Sequence, residues 1–182
     1  MILTDLEIQK LLDDGLISIE PNPPNEAYDS TAVNLTLDLP LRIFRTKVPG
    51  FIFDPGALGY KAAELIRSAT DTVVIPEQGW DLPRGELVLG WTKEQVDLDF
   101  KGRVAARVEG KSGLARIGLG VHVTAPTIHA GFSGAIQLEL VNHGPLPIKL
   151  RPGMAICQLI IETIKGRLSK VHRSQFHGQI AR

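Results

Sequence analysis

Cysteine is almost missing from this chain. The one thiol in 182 residues, Cys157, excludes a disulfide framework and any zinc site built on cysteines. It lies in the run Met154-Ala155-Ile156-Cys157-Gln158-Leu159-Ile160-Ile161, where a thiol acts as a small buried hydrophobe. Excess charge of either sign is also missing. Lys and Arg total 20, Asp and Glu total 20, so no basic field points to nucleic acid as a partner. No stretch reaches the roughly 18 consecutive apolar residues of a spanning helix, so no membrane partner is expected. Met1-Ile2-Leu3-Thr4-Asp5 lacks the basic region and apolar core of a secretory signal, and a soluble, cytoplasmic protein is the expectation.

Glycine and proline, by contrast, are plentiful: 18 and 12 residues, spread along the chain, favour short strands and turns over helices. Thr4-Asp5-Leu6-Glu7 matches a capping box, Ile8, Leu11 and Leu12 follow at helical spacing, and Gly15 ends the segment. Leu16–Ile19 then reads as a strand, closed by Pro21, Pro23 and Pro24, and 25–31 as a polar loop. Val33, Leu35, Leu37 and Leu39 alternate with polar residues, which predicts one half-buried strand running on past Pro40 into Leu41–Phe44. One or two helical turns are expected around 60–68. Further strands are expected at Thr72–Ile75, Glu86–Trp91, Gly102–Glu109, Pro145–Leu150 and Met154–Glu162, with 93–98 as a loop. The pattern predicts one mainly β domain over 1–182, a barrel or jelly roll with a short N-terminal helix. The polar, basic tail from Leu168 to Arg182 is either loose or a flap that closes over a ligand.

Residues 110–144 carry the chemistry. Lys111 and Ser112 form a polar cluster with Arg116 one helical turn later, and the block ends in Ala135-Ile136-Gln137-Leu138-Glu139-Leu140. There the period of two sets Ile136, Leu138 and Leu140 on one face and Gln137 and Glu139 on the other. A carboxylate placed on the inner side of a strand is costly unless paired, and Arg116 is the obvious partner.

Lys111-Ser112-x-Leu114-Ala115-Arg116-x-Gly118-Leu119, Val121-His122-Val123-Thr124-Ala125 and Gly131-Phe132-Ser133-Gly134-x-Ile136-x-Leu138-Glu139-Leu140 resemble the dCTP deaminase branch of the dCTP deaminase/dUTPase family. Ile2-Leu3-x-Asp5, Gly15–Pro21, Ala32–Leu37, Leu150-Arg151-Pro152-Gly153-Met154 and the tail Phe176-His177-Gly178-Gln179 are similar to landmarks of the same family, so the resemblance spans nearly the whole chain. It implies a distorted jelly-roll subunit of the dUTPase-like type, a homotrimer with sites shared between neighbouring copies, and hydrolytic deamination of dCTP to dUTP and ammonia. It places Glu139, Arg116 and Ser112 at the catalytic positions. Lys111, Gly113, Thr124, Ala125, His129, Gln137, Gln175 and Gln179 fall at substrate-binding positions, and 168–182 becomes a nucleotide-closing tail. Mg²⁺ is implied only as the counterion of the triphosphate, and zinc is not.

Deaminating cytosine needs a hydroxide equivalent at C4 and protons for N3 and the departing amine. Zinc deaminases obtain it from an H-x-E…P-C-x-x-C metal site, which this sequence cannot build. A positioned carboxylate must take the proton instead, with Arg116 orienting Glu139 and Ser112 holding the water or developing oxyanion. Several positions depart from the family pattern. Lys111-Ser112-Gly113 stands for Arg-Ser-Ser, His129-Ala130 for Asp-Pro, Asn34-Leu35-Thr36 for Asp-Leu-Arg, and Gln175-Phe176 for Lys-Tyr. These changes fall on the grip for sugar and phosphates. They leave open an altered paralogue that binds a nucleotide or a partner. A dUTP pyrophosphatase or bifunctional enzyme fits less well, because His129 supplies no aspartate to activate water.

Overall fold

The computed structural model describes residues 1–45, 52–98 and 103–168. Helix α1 (Asp5–Asp13) begins where the capping box is read: the Thr4 amide donates to Glu7 Oε2 at 2.9 Å, and the Glu7 amide donates to the Thr4 hydroxyl at 3.4 Å. Its apolar stripe sets Ile8, fully buried, with Leu11 and Leu12 against the core. The strands in chain order are β1 (Ser18–Glu20), β2 (Tyr28–Asp29), β3 (Ala32–Thr36), β4 (Pro40–Phe44), β5 (Thr70–Val74), β6 (Trp80–Leu82), β7 (Leu87–Asp97), β8 (Val104–Gly110), β9 (Leu119–Gly120), β10 (Thr127–Ile128), β11 (Ser133–Asn142), β12 (Ile148–Leu150) and β13 (Ala155–Thr163). Helix α2 (Ala62–Ala69) precedes β5, and helix α3 (Ser112–Arg116) follows β8. No helix among the described residues is long and apolar enough to cross a membrane.

Two sheets make the body. One runs β5-β4-β7-β11-β9, with β1 also pairing β7; the other runs β10-β8-β13-β3-β2, and β12 and β6 form a separate pair. Alternate residues of β3, β8 and β13 (Val33, Leu35, Val104, Val108, Leu159, Ile161) join Val88, Val96, Leu138 and Leu140 of β7 and β11 in one buried cluster. The sheets do not close on each other among the described residues, so the mainly β, jelly-roll expectation holds and the closed-barrel alternative does not. Cys157 sits in this cluster with no exposure, and its thiol is pushed up to about 12 by burial first and the Glu94 charge second, with Lys111 opposing. It plays no part in the chemistry below.

Two expectations are corrected. The strand predicted from Val33 through Phe44 is two strands in different sheets, because the chain crosses between them at Leu37–Leu39. Leu37 bridges Thr92, and the Asp38 amide donates to the Trp91 carbonyl at 2.9 Å. The loop predicted at 93–98 is instead the second half of β7. Its inward residues are Thr92, Glu94 and Val96, and two of those three are polar, which hides the period of two. Burial of these polar groups is stabilised by hydrogen bonds. Glu94 accepts the Thr36 amide at 2.8 Å and the Thr36 hydroxyl at 2.7 Å, one on each carboxylate oxygen.

The end of β11 is fastened by a backbone crossing. His143 N–H donates to the Gly118 carbonyl at 2.8 Å, and Gly144 N–H to Asn142 Oδ1 at 2.9 Å. A methyl on Gly144 would overlap the Ile117 carbonyl oxygen, and one on Gly118, at φ +97°, would overlap the Gly144 backbone. Gly144→Ala is therefore expected to cost roughly 3 kcal/mol or more. At about 2–4 °C per kcal/mol for a chain of this size, calorimetry should read a Tm drop on the order of 10 °C. An unchanged Tm would mean that this contact is not close in solution.

Candidate active site

The sequence sets Glu139 one residue out of phase with the buried Leu138 and Leu140 of β11, so its side chain leaves the core on the outer face of the six-stranded sheet. It is half-buried there, not on the inner side expected from the sequence. The register names its neighbours on that face. Glu139 pairs with Leu89 of β7, which pairs with Arg42 of β4, and Gln137 pairs with Trp91. Leu89 and Trp91 are each 4 % exposed, and the Arg42 guanidinium carbon lies 5.8 Å from the Trp91 ring centroid, within cation–π range. The carboxylate therefore has an apolar and aromatic wall on one side. On the other, the Val123 amide donates to Glu139 Oε2 at 3.3 Å, joining the strand to the segment that holds Thr124 and Ala125. Both of those residues are exposed.

Ser112 and Arg116 open and close helix α3, which contacts β9; β9 in turn pairs with β11 at Val141 and Asn142. Both side chains are exposed, and among the described residues neither makes a hydrogen bond or ion pair with Glu139. One chain thus presents the carboxylate and the Ser/Arg pair on its surface without joining them. Gly113 lies exposed between them, and a side chain there would meet open space.

Lys111 does something that sequence spacing did not show. Its ammonium donates to Asn34 Oδ1, and Asn34 Nδ2 donates to the Ala27 carbonyl at 2.9 Å and to Asp29 Oδ2 at 3.1 Å. Gln158 donates to the same Asp29 oxygen at 2.8 Å. Two of the departures noted above, Lys111 and Asn34, are therefore in contact with each other. This chain of polar groups ties the start of α3 to β3 and β13.

A second network lies on the outer face of the five-stranded sheet. Arg107 bridges Glu109 at 3.2 Å and pairs with Glu162, while His122 Nε2 stands 4.0 Å from Glu109. Among the described residues, His122 Nδ1 is buried with no hydrogen-bond partner. His129 is exposed just after β10, and the Phe132 amide donates to its carbonyl at 3.1 Å. Gln137 is half-buried on the Glu139 face. Gln175 and Gln179, with the rest of the proposed closing tail, lie outside the described residues. Sequence reasoning missed Trp91, Arg42 and Val123. The alternation of β7 carried the signal for Trp91, but pairing register was needed to set it beside Gln137.

Comparison with known proteins identifies the family. A family model described as dCTP deaminase-like matches residues 2–164. The dCTP deaminase of Shewanella oneidensis is 39% identical over 176 residues, covering 96% of this chain and 90% of that protein. That of Haemophilus influenzae is 37% identical over 176 residues, covering 96% and 89%. Among solved structures, the 2'-deoxycytidine 5'-triphosphate deaminase of Agrobacterium tumefaciens matches with a TM-score of 0.67 at 22% identity, over 88% of this chain. This chain spans 47% of that one, and the likeness concerns the fold. With a model match over most of its length and relatives at this identity, the chain belongs to the dCTP deaminase-like family.

Proposed function

We propose that this protein is a cytoplasmic enzyme that hydrolyses the C4–N4 bond of dCTP, consuming water and releasing dUTP and ammonia. The observation that supports it most is the half-buried Glu139 carboxylate on an outer sheet face, held by one backbone amide and backed by an apolar wall. Such a group can take a proton from water as the oxygen attacks C4 and hand it to N3, then take the second proton from the new C4 hydroxyl and deliver it to the departing amine. The C4–O bond forms and the C4–N bond breaks, and no redox step is involved. Trp91, Leu89 and Gln137 supply a partly dry surface on which that proton transfer is stronger than in open water.

Arg116 and Ser112 complete the site from a neighbouring copy in a homotrimer. Both are exposed on a helix that the Gly118–Gly144 crossing holds rigidly, and neither reaches Glu139 of its own chain. Arg116 would orient the carboxylate, and Ser112 would hold the water or the developing oxyanion. Thr124 and Ala125 would face the base beside Val123. His129, Gln175 and Gln179 would serve sugar and phosphates, and Mg²⁺ would arrive with the triphosphate. Lys111 anchors α3 through Asn34, so its contribution to phosphate binding is reduced. That favours, as the second reading, a site that keeps the base chemistry but takes a nucleotide with fewer phosphates. Activity on dCMP and dCDP beside dCTP separates the two.

Glu139→Gln should keep its Tm and lose roughly 10²–10⁴ in kcat, the range for a general acid–base group. Full turnover by that variant would refute the role. Glu139→Gln and Arg116→Ala, each inactive alone, should regain part of the wild-type rate when unfolded together and refolded as mixed oligomers. Shared sites rebuild some intact Glu139/Arg116 pairs, whereas sites contained in one chain regain nothing. Gly113→Ser adds a hydroxyl into open space and should lower KM for dCTP severalfold, on the order of one charge-assisted hydrogen bond, with kcat nearly unchanged. A raised KM would show that the phosphates lie elsewhere.

A further inference from the structure

Between Ala135 and Gln137 the pairing of β11 with β7 is broken: Ala135 faces Gln95 and Gln137 faces Trp91. One residue of β11, Ile136, therefore stands against three of β7, Thr92, Lys93 and Glu94. Irregularities of this kind bend a strand and re-aim the side chains that follow. Here the irregularity lies immediately before Gln137 and Glu139.

Two side chains, Thr92 and Glu94, link this stretch to its surroundings. The Ile136 amide, which has no register partner on β7, donates to the Thr92 hydroxyl at 2.9 Å. That hydroxyl spends its own proton on the Glu94 carbonyl at 2.8 Å, so it donates and accepts at once. The Glu94 carboxylate holds the Thr36 amide and hydroxyl of β3. Thr92 is fully buried and Glu94 is 7 % exposed. The Leu37–Thr92 bridge fastens the same point to the opposite sheet.

Resting on the reading of Glu139 given above, we propose that Thr92, locked by Glu94, is a positioning residue for catalysis. Its hydroxyl fixes the register in which β11 leaves the irregularity, and so the direction in which Glu139 points. A slip of one residue would turn Glu139 to the opposite face of the sheet. A smaller rotation would take it off the Val123 amide. The Ile136 amide is tied into the lock through this hydroxyl.

The test compares Thr92→Val, which keeps the shape and removes the hydroxyl, with Thr92→Ser, which keeps the hydroxyl and removes the methyl. Two readouts are taken: kcat and KM for dCTP by ammonia release, and the amide resonance of Val123 followed through the titration of Glu139. Thr92→Val should lose on the order of tenfold or more in kcat with KM nearly unchanged, since small misplacements of a reacting group are costly. It should also lose the pH response of the Val123 amide. Thr92→Ser should restore both. Thr92→Val with unaltered kcat and an unaltered Val123 titration overturns the proposal, and so does equal damage in Thr92→Ser, because volume and not the hydroxyl would then be responsible. Should Thr92→Val fail to fold, amide exchange in the wild type decides. Ile136 is protected as strongly as Leu138 and Leu140 if Thr92 holds it, and exchanges at loop rates if it does not. A wild-type protein that releases no ammonia would sink the deamination reading alone, since the Val123 and Ile136 amides report on the lock without any turnover.

Discussion

The contact between residues 117–118 and 143–144 is backbone against backbone, and it leaves no room for a β-carbon on either glycine. Strand β11, which carries Glu139, ends there. Helix α3, which carries Ser112 and Arg116, also ends there. Asn142 secures the junction from below: it is fully buried, its amide donates to the carbonyls of Leu82 and Leu146, and its oxygen accepts the Gly144 amide. With all its polar atoms engaged, this side chain stabilises a turn that would otherwise bury unpaired carbonyls. The relation between the helix and the strand is therefore rigid. Among the described residues, that relation keeps Arg116 off Glu139 within one chain, which is the ground for the shared site proposed above.

Two carboxylates on neighbouring strands, buried Glu94 and half-buried Glu139, have surroundings that differ. Glu94 has each oxygen engaged by Thr36 and is nearly sealed from water, so it is held in place inside the fold. Glu139 has one backbone donor and an open side. Charge-assisted hydrogen bonds of about 1.5–3 kcal/mol each hold the first in place. The second has fewer donors among the described residues and is open on one side. Through Thr92 and Ile136, the buried group supports the strand on which the half-buried one rides.

The features read correctly from sequence were the ones written in local patterns. Thr4 and Glu7 announce α1 within four residues, Cys157 sits in an apolar run, and the alternation over Leu138–Glu139–Leu140 separates the carboxylate from the leucines, although the reading set it on the inner side of the strand. What escaped was set by distant partners. Thr92 and Glu94 look like loop residues until Ile136 and Thr36 are placed beside them. Alternation from Val33 to Phe44 continues across a point where the chain changes sheet, because inward residues stay apolar on both sides of the crossing. Lys111 reads as a free charge beside a serine, yet its ammonium lies on Asn34, 77 positions away. Glu139 was singled out by its family resemblance. Its periodicity set it opposite Leu138 and suggested Arg116 as its partner, a pairing that does not form within one chain among the described residues.

The most direct measurement is incubation of the purified protein with dCTP and Mg²⁺, following ammonia and pyrophosphate separately. A metal-free deaminase working through Glu139 releases ammonia in step with dUTP and no pyrophosphate, and does so at the same rate after zinc chelation. Pyrophosphate released in step with ammonia, or no ammonia under conditions where dCTP binds, would contradict it.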